Sequence, residues 1–508
     1  MARYRDYPEM SLNRRNFLGS GLAASATIGL PRMAFAAEKA DVVIIGAGLS
    51  GLRSAEILQE QGLKVLVMDA NSRVGGRVQT VQTVDGPLDV GASQVGRGYA
   101  RVIDACQRHG LKLVSEDRDL LPFGSHFSGE WIDGKTWGSN PLNLCEGDER
   151  QIPPNLIGQA LCSKYNPLQE LDDWLDPRFA EYDISLRELL RRKGHSAQAV
   201  ELAGYSAPGI GIDETSVLRM WQEEVRARIE RRMGEAAATA ENGPKREHPF
   251  GEANDHRDVG GLAAINNIVG GCSALPLAMA AKLGDRVRLG KRAVSIALSD
   301  TGGTIACSDG TAFSGRFLIC TLPFSMLREV EITGSANPVT RQAITTMPYA
   351  NTARLYVTIE RPFWKEDGLP PSISSDGPMG MFWAVDNHTG EGAHRGMFVL
   401  VGRTAQAVSA LDRAEAEAML LGELARLRPA SKGAVRVATW KDWLRDPLQR
   451  GCGFSLAPGQ VNAFARDMIK PWQVMHFAGE HTRRTDFGME SAMESAERAA
   501  IEVLERTA

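Results

Sequence analysis

Asp41-Val42-Val43-Ile44-Ile45-Gly46-Ala47-Gly48-Leu49-Ser50-Gly51 is the stretch that decides the fold. Asp41 to Ile45 is short and rich in β-branched residues, the composition of a buried parallel strand. Three glycines at a fixed spacing follow at once, and Leu52 to Gly62 continues with a helical pattern. Gly46 permits the tight turn, Gly48 lets the backbone approach a pyrophosphate, and Gly51 lets helix lie close on strand. The first helical residues, Leu49 and Ser50 among them, then present free N–H groups and the positive dipole end to phosphate.

A glycine pattern alone is weak evidence, so its surroundings carry the argument. A second strand, Lys64 to Met68, ends at Asp69-Ala70, with Asp69 eighteen residues past Gly51. An acid in that place accepts hydrogen bonds from ribose hydroxyls. Asn71-Ser72-Arg73-Val74-Gly75-Gly76-Arg77 comes next. Its glycines let the chain pass close to a cofactor, and Arg73 and Arg77 suit a pyrophosphate or a carboxylate. The predicted class is α/β, with a Rossmann-like dinucleotide domain.

The chain has 508 residues, which is long enough for two domains. Its net charge of -4, without a Lys/Arg block, argues against nucleic-acid binding. After residue 37 no apolar run is long enough to span a bilayer, so no stable membrane anchor is expected. Seven scattered cysteines do not read as a disulfide framework, and the nine histidines form no metal-ligand spacing, so no metal is expected. Near the N-terminus, Arg14-Arg15 precedes Phe17-Leu18, an apolar stretch runs to Leu30, and Ala34-Phe35-Ala36 follows. A positive region, a short apolar core and a small-x-small site make residues 1–37 a signal peptide resembling the bacterial twin-arginine signal. That implies the Tat machinery as a partner and the periplasm as destination.

The run Arg73 to Arg77, placed directly after Asp69, resembles the second fingerprint of the FAD-binding amine oxidase and phytoene desaturase superfamily. Further landmarks resembling the flavin amine oxidases (monoamine, polyamine and L-amino-acid oxidases) appear in that family's order. Gly91-Ala92-Ser93-Gln94 resembles the segment beside the flavin, and Val287 matches the residue that meets the adenine end through its backbone. Cys320-Thr321-Leu322-Pro323 resembles a closing strand end, and Trp440 to Gly459, with Trp443 and Cys452, the segment flanking the flavin. Gly479-Glu480, then Gly488-Met489 and Ala492, resemble the C-terminal flavin signature. The resemblance implies an FAD domain at 38–88, 260–340 and 441–508, interleaved with an α+β substrate domain at 89–259 and 341–440. It leaves a homodimer open. Glu241 to Asp258 reads as a surface loop.

The implied reaction is oxidation of an amine or amino acid to an imine and then a carbonyl, with O2 reduced to H2O2. A dehydrogenase, desaturase or isomerase acting on a non-amine substrate is the alternative, and a non-catalytic flavoprotein a third. The active-site positions depart from the family. Arg354 stands where many members have a lysine near the flavin. It cannot act as a base, and three roles are open: anchoring a substrate carboxylate, stabilising charge on reduced flavin, or pairing with a structural acid. Gly453 and Gly488 match the two aromatic positions that frame the substrate in monoamine oxidases, which implies a substrate larger than a simple monoamine. Gln94 replaces the carboxylate-holding arginine of L-amino-acid oxidases, with Arg97 and Arg101 nearby as substitutes. Cys452 matches the flavin-linking cysteine of monoamine oxidases within one residue, yet a lone thiol is usually inert, so the FAD is expected to be non-covalent.

Overall fold

The strand Glu38–Ile45 carries the apolar run read from the sequence, and every residue from Val42 to Ile45 is buried. In this computed structural model, which describes residues 37–115, 121–206, 210–239, 265–385 and 394–507, that strand has parallel neighbours on both sides. Val65–Met68 flanks it on one edge and Ala312–Cys320 on the other. Val287–Arg288 extends the sheet beyond Val65–Met68, and Met475–Phe477 pairs with the far half of Ala312–Cys320. The near half of Ala312–Cys320 instead joins an antiparallel meander through Gly303–Cys307 to Ala293–Leu298. Parallel strands buried on both faces need covering helices, which explains their unbroken apolar sequence.

The helix after the first strand runs Leu49–Glu60, three residues earlier than the apolar pattern suggested, with Gly48 as its N-cap. It packs on the closing helix Gly488–Glu505, where Ser54 Oγ donates to the Ala496 carbonyl at 3.3 Å. A Cβ on Gly51 would stand 1.9 Å from the Gly46 carbonyl oxygen, so only glycine lets the helix lie this close. Gly46 itself has φ +112°, a left-handed conformation.

A second sheet has the order Val435–Asp442, Thr352–Ile359, His394–Val401, Met381–Val385, Ser372–Ser375, Phe123–Phe127, Glu130–Ile132. Strand alternation sorts the residues of Thr352–Ile359 between two environments. Ala353, Leu355, Val357 and Ile359 enter a second apolar core with Phe382, Phe398, Leu420 and Leu424, the last two from helix Arg413–Leu427. Arg354, Tyr356 and Thr358 face the other way. There the Tyr356 hydroxyl donates to the Asp89 carbonyl at 3.2 Å and Thr358 Oγ1 to Asp85 Oδ2 at 2.6 Å.

The boundaries drawn from motifs at 88/89 and 440/441 fall inside the strands Gly86–Asp89 and Val435–Asp442. A small sheet also crosses them, because Ile265–Ile268 pairs with both Val95–Gly96 and Leu113–Ser115. Motif positions locate cofactor contacts, whereas strand pairing depends on partners distant in sequence. Residues 1–36, with the twin arginines, and the loop Glu241 to Asp258 lie outside the described residues. No helix of the described residues is long and apolar enough to cross a membrane.

Candidate active site

The two helix N-termini open on one cleft of about 510 Å³, which runs from the carboxyl ends of the parallel strands toward the second sheet. Gly46, Gly48, Leu49 and Ser50 line it at the first helix, and Gly488, Met489 and Ala492 at the closing helix. Neither helix start is capped by a side chain, so their leading N–H groups are available to a ligand. A Cβ on Gly48 would meet nothing within 4 Å, which leaves bare backbone at this end of the cleft. Asp69 and Ala70 form the next stretch of wall. Asp69 accepts from the Ala47 and Asn71 amides, each at 2.7 Å, which fixes its carboxylate beside the glycine loop. Burial raises its pKa, while the two amide bonds and Arg73 work in the opposite direction.

Arg77, Glu480 and Gly479 line the middle. Arg77 Nη1 donates to the Cys452 carbonyl at 2.5 Å and reaches Glu480 at 3.4 Å, so it joins three separated segments of chain. Gly76, Gly91, Ala92, Ser93, Gln94, Trp443, Cys452 and Gly453 complete this part of the wall, with Gln94 exposed. The Trp443 indole is held by a 3.2 Å bond to the Val90 carbonyl.

Several positions depart from the sequence reading. Gly51 is off the lining because it forms the helix–strand contact. Arg73 points away and donates to the carbonyls of Val74, Val78 and Gly76 and to Gln79, so it shapes the double-glycine loop. Val287 is held in a strand, paired with Val67, and the cleft there is lined by Lys291, Arg292, Ala293 and Val294. Two valines seven residues apart follow the same helix, and spacing alone could not choose between them. Arg101 is committed to Asp486, Glu490 and Glu497 at 3.2, 3.0 and 2.8 Å, and Arg97 does not reach the lining. Neither supplies a carboxylate anchor. Tyr99 also lines the cleft, although nothing in the local sequence pattern marks it.

Arg354 lines the cleft without a carboxylate partner among the described residues. Its Nη1 makes a long 3.4 Å contact to the Tyr356 hydroxyl, and its buried Nε has no hydrogen-bond partner. Across the strand pair stands Lys441, whose own charge is answered by Asp446 at 2.7 Å. Burial opposes the Arg354 charge, yet Tyr356 and Cys452 outweigh it and hold the pKa above its ordinary value. No structural acid pairs with it among the described residues. Among the described cysteines Cys452 is half-buried and borders this cation, while the other six are free and buried.

Residues 49–504 match the family described as flavin containing amine oxidoreductase. The chain belongs to that family. It is an FAD-dependent oxidoreductase, and the donor set fits the cofactor: two open helix starts, bare glycine backbone and a fixed carboxylate. Human amine oxidase [flavin-containing] B is 24% identical over 497 residues, covering 92% of this chain and 86% of that one. The L-amino-acid oxidase of Siganus canaliculatus is 24% identical over 495 residues, covering 92% and 85%. A putrescine oxidase with redesigned cofactor binding superposes with TM-score 0.73 at 20% identity, covering 93% of this chain and all of the other. That likeness establishes the shared fold of this family member.

Proposed function

We propose that this flavin amine oxidoreductase oxidises an amine that carries an anionic group, an amino acid or a larger amino-acid-like compound. The substrate loses a hydride equivalent from the carbon beside a neutral nitrogen and a proton from that nitrogen, giving an imine. Water converts the imine to a carbonyl and releases the amine nitrogen, while O2 takes the two electrons and two protons to leave as H2O2. Bound FAD supplies the electron-accepting chemistry. The protein's contribution is to hold the reacting carbon in place and to keep water out.

The unpaired cation of Arg354 carries this reading. A half-buried guanidinium beside a like-charged strand neighbour lacks a counter-ion among the described residues, and a substrate carboxylate satisfies it by a two-pronged bond. Glycine at 453 leaves room, since a Cβ there would meet nothing within 4 Å. Gly46 to Ser50, Asp69, Arg77, Glu480 and the start of helix Gly488–Glu505 hold the cofactor in this reading. Val294 takes the adenine-end role first assigned to Val287.

Arg354→Met is expected to weaken binding of the anionic substrate by about 2–5 kcal/mol, the usual cost of removing one partner of a buried charge pair. Flavin content should be unchanged. Arg354→Lys keeps the charge but loses the planar fork, so it should rescue only part of the affinity. Equal substrate Kd in both variants and wild type, by flavin absorbance titration, would refute the anchor.

The FAD is held without a covalent bond in this reading, although Cys452 lines the cleft half-buried beside the Arg354 cation. Acid precipitation should release the yellow cofactor into the supernatant. Colour that stays on the pellet, and is lost in Cys452→Ala, would contradict this.

Residues 1–37 direct the protein through the twin-arginine route to the periplasm, with cleavage after Ala36, supported by Arg14-Arg15 and the small-x-small site. Changing Arg14 and Arg15 to lysine should leave the protein in the cytoplasm. Unaltered periplasmic levels in cell fractionation would remove the assignment.

A further inference from the structure

Gly488 opens the closing helix with φ +60°, and a Cβ built on it would stand 2.9 Å from the Tyr99 hydroxyl and 3.8 Å from its Cζ. The space above this glycine is thus occupied, but by a side chain from a different part of the chain. Tyr99 caps the helix Ala100–Arg108, where its amide donates to the Gly96 carbonyl at 3.0 Å. Its ring meets Phe487 edge to face at 5.8 Å, and the residue is only 7% exposed. A ring clamped between Gly96, Phe487 and Gly488 has little freedom to leave. Nevertheless Tyr99 borders the cleft, and its hydroxyl has no hydrogen-bond partner among the described residues. The hydroxyl oxygen is not among the buried unpartnered atoms, so it is open to the cleft and available as a donor there.

We propose that Tyr99 is a specificity-determining residue whose ring walls the substrate end of the cleft over Gly488 and whose hydroxyl donates a hydrogen bond to the bound substrate's anionic group. This rests on the amine-oxidising reading above and extends it. The two walls are unequal: Gly453 is open, whereas Gly488 must be glycine to admit Tyr99. Arg354 and Tyr99 line the same cleft, so both polar groups are available to one bound substrate. The hydroxyl is a dependable donor. Burial first, then the nearby carboxylates of Glu230, Glu490 and Glu223, raise its pKa well above the ordinary phenol value, with Arg226 opposing them.

The test uses the FAD-loaded protein with benzoate as an unreactive carboxylate probe, titrated by its effect on flavin absorbance. Tyr99→Phe keeps the ring and removes only the donor. Benzoate Kd should rise roughly two- to tenfold, the effect of one neutral hydrogen bond. FAD content and melting temperature should stay at wild-type values, and the Kd ratio should be constant between about pH 6 and 9. Gly488→Ala should weaken benzoate binding more in the Tyr99 background than in Tyr99→Phe, because the Cβ clash is with the hydroxyl oxygen. Wild-type affinity in Tyr99→Phe, with Arg354→Met impaired, overturns the Tyr99 proposal and leaves the anchor standing. Loss of FAD in Tyr99→Phe makes it a cofactor residue and likewise overturns the proposal. No benzoate response in the wild type overturns both readings together.

Discussion

Between Gly51 and the Gly46 carbonyl there is no room for a methyl group, and the cleft depends on that contact. It lets the helix Leu49–Glu60 lie on the strand Glu38–Ile45 with the Gly46 carbonyl and the Ile44 side chain against Gly51. The first turn of the helix is thereby aimed along the strand's carboxyl end. The Asp69 carboxylate is tied to the same loop through the Ala47 amide, and the Arg73 guanidinium holds the double-glycine turn from behind. Open helix N–H groups, a fixed carboxylate and a close chain crossing are thus consequences of one packing requirement. The closing helix adds a second open start to the same space.

Chemistry is set from the other side by a strand of period two. Thr352–Ile359 sends its odd-numbered residues into an apolar core, while Tyr356 and Thr358 turn toward Asp89 and Asp85 and Arg354 toward the cleft. A register slip of one residue would bury Arg354 among Leu355's neighbours, so the second core is what keeps the cation in the cleft. Among the described residues that cation has no carboxylate partner. Tyr356, which could only offer a neutral hydroxyl, is itself held by the Asp89 carbonyl.

Much of this was legible in the sequence, for physical reasons that differ by element. The glycine loop, Asp69 and the Gly479-Glu480 and Gly488 segments were readable because close approach of backbone to a ligand restricts residue type severely. Arg354 was placed by its position between recognisable strand ends, but whether an acid faced it depended on contacts across the fold. Arg73 and Arg101 were misjudged for the same reason: a guanidinium in sequence carries no label for the carbonyls or carboxylates it will meet. Tyr99 was invisible because its significance lies in Gly488, 389 residues away, which lacks the side chain that would exclude it. Val287 and Val294 show the limit of motif spacing when two similar residues flank one short loop.

The central claim is that an unpaired Arg354 makes the family member selective for amines bearing an anionic group. It is tested most directly by anaerobic flavin bleaching with matched pairs, each an amino acid and the amine left when its carboxylate is removed. Fast bleaching by one or more amino acids, slow or no bleaching by the partner amine, and return of the yellow colour with H2O2 when air is readmitted are expected. Equal or faster bleaching by the decarboxylated partners would contradict it.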